Sequence, residues 1–456
     1  MAYIEQFAER NRYRVVLVLP WAKTILAELD GEALRLPHIS IPKWTRTAEE
    51  ITDAIRELWN LVSIVIDYLP AESNLDPCAV LEVSLPDWQS VPSGLTPVAP
   101  QKLPPQELSP SEFSFLRDIL AGDIRNQGPF SRIGWIEEAQ TWIRESVHHR
   151  VIEFSDDIRQ ANAGKSFALV RFGTRSAPAY WLKAVGFPNL HEFTVTATLA
   201  RYFPDHVPPL IATREDWNAW IMEDCGQPLS ETFCLDAFEQ AAHSLAQLQM
   251  ASTAHLDLML SKGVFDQRKH IFRAYLPQLV QYLESVMAMQ TSTAVLPIRP
   301  ERLQEIGGLL EKACAAMQTA NVPDTLIHND MNGGNILFDG TRAVFTDWAE
   351  ASIGNPFFTF HHLRALAIRE DHTHTWAHQL TAAYKRHWHG LLAESDLDRA
   401  LALTRPLAIV SYLYGRDPSF ASEYRHDAHC QSYARSLARH LDRAIQAPEF
   451  MGALCD

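Results

Sequence analysis

The sequence predicts an α+β fold in which a small β-rich lobe precedes a larger helical lobe, with a small α/β domain ahead of both. Three observations predict it. Strand-like runs flank one helical pattern before residue 88, and a second group of strand-like runs fills 151–228. From Ser230 the apolar residues recur at helical spacing, as in "AFEQAAHSLAQLQM". The expected division is therefore 1–88 for the α/β domain, 89–110 for a proline-rich linker, 111–150 for a helical connector, 151–228 for the β-rich lobe and 229–456 for the helical lobe.

In the N-terminal domain, "YRVVLVLP" and "TILAELDGEALRLPHI" read as strands, with Asp30-Gly31 as a hairpin turn. Thr47 and Glu50 have capping-box spacing, and Ile51, Ile55, Leu58, Val62 and Val65 then recur at helical spacing. "CAVLEVSLP" adds a last strand. Seven prolines between Leu85 and Pro110 indicate an extended linker or surface wrap. The connector reads as two helices around Gly128-Pro129, with Trp135 and Trp142 on one helical face as core anchors. Next come the strand pair "FALVRFGTRSAPAYWLKAV", the helical "NLHEFTVTATLARYFP" and the further strands of "PPLIATREDWNAWIMED".

Composition narrows the partners. The chain has 456 residues, 47% of them hydrophobic and 21% charged, which is ordinary globular composition for two or three domains. A net charge of -15 argues against nucleic acid, whose phosphates need clustered Lys and Arg. The same charge reads as an acidic surface kept for solubility and is compatible with a cationic small substrate. No apolar run reaches the roughly 18 residues a membrane span needs, and the N-terminus lacks secretory-signal features. The six cysteines are scattered without metal-ligand spacing, so reduced thiols and a cytoplasmic location are expected.

Chemistry-bearing residues concentrate in "LIHNDMNGGNILFDGTRAVFTDW", which holds His328, Asp330, Asn335 and Asp347. Asn335 opens "NILF", Asp339-Gly340 is a turn signal and "AVFTDW" returns. A two-residue loop would pair Phe338 with Thr341 and set Asp347 opposite Asn332. Paired strands lie about 4.8 Å apart, so Asp330, Asn335 and Asp347 should converge. Two carboxylates and an amide oxygen suit Mg²⁺, a hard cation that keeps water and binds phosphate. Asn335 and Asp347 at the hairpin base are the candidate ligands, and Asp330 the candidate base for an attacking hydroxyl. The other reading is a polar loop whose Asp and Asn side chains bond their own backbone.

The pattern His328-Asn329-Asp330, Asn335, Asp347-Trp348, Gly354, Pro356 resembles the aminoglycoside phosphotransferase and choline kinase family, which has a bilobal protein-kinase-like fold. The resemblance covers roughly 150–456. It implies ATP or GTP as donor, Mg²⁺ as cofactor, Asp330 as catalytic base and His328 holding the loop. It also implies that Lys183 contacts the nucleotide's α- and β-phosphates and pairs with Glu192. By the same resemblance, Gly164, Lys165 and Ser166 form the phosphate loop, and backbone groups from Met222 through Glu223 to Asp224 read the adenine edge. One departure bears on the loop. The family commonly places an Asp where Thr359 or Phe360 stands here, so either another group stabilises the loop or the loop is looser. The N-terminal domain faintly resembles a Nudix hydrolase around Arg56-Glu57-Leu58. Asn60, Leu61 and Ala48 stand where that family's glutamates would be, so a non-catalytic module is expected.

No long segment ending in Ala-Pro-Glu follows Asp347, so the acceptor should be a small molecule carrying a hydroxyl, such as an antibiotic, amino alcohol or sugar. Glu370 and Asp371 could meet a cationic acceptor and Trp376 or Trp388 stack on a ring, while the plainer reading of each is a helix surface. The alternative function is a nucleotide-binding regulatory or scaffold protein with a retired site.

Overall fold

The computed structural model describes residues 9–31, 33–43, 45–70, 75–85, 89–122, 132–176, 178–415 and 427–455. The expected Gly128-Pro129 break, and Ala177 between the two expected strands of "FALVRFGTRSAPAYWLKAV", lie outside them. The chain divides into two compact units, Met1–Phe193 with Pro209–Asp224, and Thr194–Pro208 with Cys225–Asp456.

The first unit is built on β1 (Arg10–Leu19), whose inner residues Val15 to Leu19 are apolar and wholly buried. Such a continuous apolar run marks a strand covered on both faces. It pairs antiparallel with β2 (Thr24–Asp30), which turns at Gly31 into β3 (Ala33–Arg35). It also pairs antiparallel with β4 (His38–Pro42). After α1 (Thr47–Trp59) come β5 (Val62–Tyr68) and β6 (Cys78–Ser84), and β6 lies parallel to β1.

Helix α1 departs from the expected pattern at both ends. The carbonyl of Arg46 accepts from the Glu50 N–H at 3.1 Å, which makes Arg46 the N-cap and puts Thr47 inside the first turn. The capping box therefore does not form. At the other end Asn60 adopts φ 52°, and the β-branched run beyond it becomes β5. Val62 and Val65 thus belong to a strand, and Leu58 is exposed.

Within the proline-rich stretch, β7 (Leu95–Val98) pairs with β2. Helix α2 (Pro110–Ala121) opens on a capping box between Ser109 and Glu112. The Glu112 carboxylate also receives the buried Arg14 guanidinium, which donates as well to the carbonyls of Asp76 and Glu107. At the start of α3 (Trp135–Ser146), the Gly134 N–H donates to Glu82 at 2.7 Å. Burial pushes the Glu82 carboxyl up to about 7, against the opposing backbone hydrogen bonds.

Strands β8 (Phe154–Asn162), β9 (Phe167–Thr174), β10 (Tyr180–Val185), β11 (Leu210–Arg214) and β12 (Ala219–Glu223) make an antiparallel sheet in the order β11-β12-β10-β9-β8. Helix α4 (His191–Tyr202) follows β10. One face of this sheet, through Val170, Phe172, Leu182 and Ile221, shares a core with Trp135 and Ile143 of α3 and with Val16, Val18 and Ile64 of the first sheet.

The second unit is mainly helical: α5 (Leu235–Ser252), α6 (Leu256–Ser261), α7 (Lys269–Ala288), α8 (Pro300–Thr319), α9 (Pro356–Glu370), α10 (Thr375–Trp388), α11 (Glu394–Gly415), α12 (Ala428–Ile445) and α13 (Pro448–Cys455). They share one apolar core. Two small sheets are set into it. One orders β13 (Gln227–Pro228), β16 (Ile336–Phe338) and β17 (Ala343–Phe345), and the other β14 (Phe265–Asp266), β18 (Ala351–Gly354) and β15 (Thr325–His328). The α+β class, with a β-rich part followed by a helical one, agrees with the expectation. Among the described residues no helix is long and apolar enough to cross a membrane.

Candidate active site

Strand β15 is buried throughout and delivers His328 to the start of a loop. There the His328 ring donates from Nε2 to the carbonyl of Thr346 at 2.9 Å, since a carbonyl can only accept. It also lies 4.6 Å from the Trp348 ring. The Thr346 N–H in turn donates to the carbonyl of Asn335 at 3.0 Å. One chain of contacts therefore ties His328 to the residue before Asp347 and to Asn335.

Asn335 closes the loop. Its Nδ2 donates to the Asp330 carbonyl at 2.9 Å and to the Asp330 carboxylate at 3.0 Å. With the amide nitrogen so engaged, Oδ1 is the atom Asn335 offers to a cation. Asp347 has φ 67° and ψ 69°, left-handed geometry that a non-glycine residue holds only where its surroundings impose it.

The hairpin differs in register from the expectation. Phe338 pairs with Ala343, not Thr341, so Asp339–Arg342 form a four-residue loop. The cause is Asp339, whose Oδ1 accepts from the Thr341 N–H, the Thr341 hydroxyl and the Arg342 N–H. Partial burial raises the Asp339 carboxyl, but these bonds and the Arg342 charge outweigh it and lower it to about 2. The shift is by two residues, which preserves the side-chain alternation along the paired strands.

The loop is stabilised from behind by Thr359 on α9. Its hydroxyl accepts from the His328 N–H at 2.8 Å and lies 3.4 Å from the His328 carbonyl, in a fully buried position. The position at which the sequence lacks an acidic residue thus carries the missing partner. Asn329 enters a second buried network. Its Nδ2 donates to Ser352 at 2.9 Å, and its Oδ1 accepts from Ser411 at 3.1 Å. Gln267, just after β14, bonds both serines, so Ser352 of β18 and Ser411 of α11 meet on its amide.

From the other side, Gly226 lies against the hairpin with φ +133°. A Cβ there would come 2.4 Å from the Phe338 carbonyl. Only glycine fits. Neither Gly226 nor the Asn329 network carries a local signal in the sequence.

In the first unit, Lys183 Nζ lies 2.6 Å from Glu192 Oε1, and both residues are buried. The Lys183 ammonium also sits 5.3 Å from the Phe167 ring centre and 5.8 Å from that of Trp220. Gly164, Lys165 and Ser166 occupy the turn between β8 and β9. Gly164 would tolerate a Cβ, with its nearest neighbours 3.9 and 4.0 Å away. The demanding glycine is Gly186, where a Cβ would fall 1.9 Å from the Lys165 carbonyl and whose N–H donates to Ser166 at 2.8 Å.

Met222 and Glu223 end β12, and Asp224 follows it. The N–H groups of Glu223 and Asp224 donate to the carbonyls of Pro209 and Ala179. These two donors are engaged within the sheet, which narrows the expected backbone reading of a base edge. Of the acceptor candidates, Trp388 is wholly buried against Phe357 and Tyr384. Asp371 accepts from the Thr373 hydroxyl and from the N–H groups of Trp376 and Thr373, which lowers its carboxyl. Trp376 packs on Phe238, and Glu370 is exposed at the end of α9.

Residues 218–393 match the model of APH, the phosphotransferase enzyme family. The match bears out the resemblance read from the motif and makes this segment that of a phosphotransferase enzyme. It spans Asp330, Asn335 and Asp347, while Lys183 and Glu192 lie ahead of it. No curated protein matches the sequence. Among solved structures, the choline kinase of Cryptosporidium parvum Iowa II is 14% identical, covering 70% of this chain and 97% of its own with a TM-score of 0.48. A choline/ethanolamine kinase family protein from Mesorhizobium loti is 14% identical over 70% of this chain and 98% of its own, with a TM-score of 0.45. The macrolide 2′-phosphotransferase MphH of Brachybacterium faecium is 14% identical over 66% and 97%, with a TM-score of 0.44.

Proposed function

We propose that this phosphotransferase moves the γ-phosphate of ATP to a hydroxyl of a small acceptor, with Asp330 as base. The observation that carries the reading is the double hydrogen bond from Asn335 Nδ2 to Asp330. It fixes the carboxylate and leaves the amide oxygen as the atom Asn335 can offer to a cation. The available donors are all oxygens, one amide and one carboxylate, which fits Mg²⁺ completed by water and nucleotide phosphates. Asn335 and Asp347 would hold the cation, which when bound neutralises charge on the transferring phosphoryl group.

The chain's own residues do the rest. Asp330 takes the proton of the acceptor hydroxyl as the oxygen attacks. His328 keeps Asp347 in register through Thr346, and Thr359 keeps His328 in place. In the first unit, Lys183 meets the nucleotide phosphates, and Glu192 holds its ammonium in one position in a buried setting. GTP would satisfy the same phosphate contacts.

The test is ATP consumption by the full chain against aminoglycosides, nucleoside antibiotics, amino alcohols and sugars, with Asp330→Ala beside it. One acceptor class should stimulate turnover, and the variant should lose turnover while still binding Mg·ATP. Normal turnover by the variant would remove Asp330 from the role of base. Tight ATP binding with no transfer to any acceptor would favour a retired regulatory protein.

A further inference from the structure

The N-terminal domain reaches the turn at 163–166 through one irregular strand. In β8 the pairing with β9 is interrupted between Phe154 and Ile158 and shifts again between Gln160 and Asn162. Each irregularity leaves backbone groups without ladder partners, open to other donors and acceptors. At the first, Arg56 on α1 donates from Nη1 to the Asp156 carbonyl at 3.1 Å and from Nη2 to the Ile158 carbonyl at 3.0 Å.

At the second, Gln160 is 1% exposed and its side-chain amide grips the backbone of Val65 in β5. Oε1 accepts from the Val65 N–H at 2.6 Å, and Nε2 donates to the Val65 carbonyl at 2.8 Å. Val65 itself borders a register shift in β5, so one glutamine amide serves the strand edge as a peptide group would. Beyond Asn162, Ala163 packs against the core formed by α1 and the first sheet. The far end of the turn is fixed by the Gly186 N–H on the Ser166 carbonyl.

We infer that Arg56 and Gln160 are positioning residues for the phosphate loop, and that the N-terminal domain thereby sets the affinity for nucleotide phosphates. This rests on the reading of Gly164–Ser166 as that loop. A glycine-rich loop can wrap a phosphate through its own backbone freedom. This turn has one glycine, at which a Cβ would meet no clash. Its shape is instead imposed from outside, so ordering it on binding costs little. Without Arg56 or Gln160 the turn has to be ordered by the ligand, and the loss should fall on the phosphates alone.

The experiment uses the full chain and compares Mg·ATP with adenosine, which lacks phosphates, by titration calorimetry. Arg56→Met and Gln160→Met should each weaken Mg·ATP about tenfold while leaving adenosine within twofold and the binding stoichiometry unchanged. Arg56→Lys, which keeps the charge and its donors but not the planar fork, should fall between wild type and Arg56→Met. Arg56 is only half-buried, so its variants report even where Gln160→Met fails to fold. Unchanged Mg·ATP affinity in Arg56→Met, or equal weakening of both ligands, overturns the inference and leaves only a stabilising contact. A wild-type chain that binds adenosine as tightly as Mg·ATP overturns the phosphate-loop reading beneath it.

Discussion

Replacing Thr359 by Val keeps the shape of a fully buried side chain and removes one hydroxyl. That hydroxyl accepts from the His328 N–H at 2.8 Å and faces the His328 carbonyl at 3.4 Å. The substitution leaves the N–H with no acceptor in a place water does not reach, a loss of about 1–3 kcal/mol. The structure has two ways to respond. It can keep its geometry and lose stability, or let the His328–Asp330 loop drift until the N–H finds a partner. Drift misplaces Asp330, and each ~1.4 kcal/mol of misalignment lowers the rate about tenfold. Thr359→Val should therefore lower kcat about tenfold, leave KM for ATP within twofold, and lower Tm by several degrees. Thr359→Ser keeps the hydroxyl and should retain most of the rate. The assay is steady-state transfer at saturating ATP, with thermal unfolding measured on the same samples. A Thr359→Val variant with kcat within twofold of wild type and an unchanged Tm would show that Thr359 does not hold the loop.

Three further outcomes are expected. Glu82 has its carboxyl raised to about 7 by burial, so the fold favours its neutral form. Its contribution is full below the unfolded value and is lost as pH rises through about 7, on the order of 3 kcal/mol, and Glu82→Gln should flatten that fall in urea unfolding between pH 5 and 8. Gly226→Ala places a Cβ 2.4 Å from the Phe338 carbonyl at φ +133° and should cost about 3 kcal/mol in the same assay, whereas Gly164→Ala should cost little. Lys183→Met leaves the Glu192 carboxylate buried without its ammonium partner and should destabilise by about 3–5 kcal/mol; adding Glu192→Leu should recover most of that stability without restoring turnover, as unfolding and ATP consumption would show.

The motif from His328 to Pro356 was legible because its members are held at fixed spacing along the chain and carry side chains that chemistry uses. The pairing of Lys183 with Glu192 came from the family resemblance, whose strand lysine and helix glutamate these two residues fit. The hairpin register was not legible, because Asp339 can either sit in a tight turn or capture the following N–H groups, and local propensity does not rank the two. Helix α1 was extended too far, because Val62 and Val65 satisfy a helical period as well as a strand. That Thr359 stands where a stabiliser was wanting could be seen, but that it is itself the stabiliser depends on how α9 packs against β15. Arg56, Gln160, Gly186 and Gly226 act on partners far along the chain or across a sheet. Such roles leave no mark in a local window.

The hydrogen bonds around Asn329 set a limit on how this chain can be shortened. Ser411 lies well into α11, long after the last motif residue, yet its hydroxyl reaches the amide beside the proposed base. A chain ended after the matched segment at residue 393 would contain every motif residue of the site and still lack that anchor. Asn329 Oδ1 would then be a buried acceptor with nothing to accept. The smallest working version of this enzyme is therefore not the stretch that matches the phosphotransferase model; it must run at least through the helix that supplies Ser411.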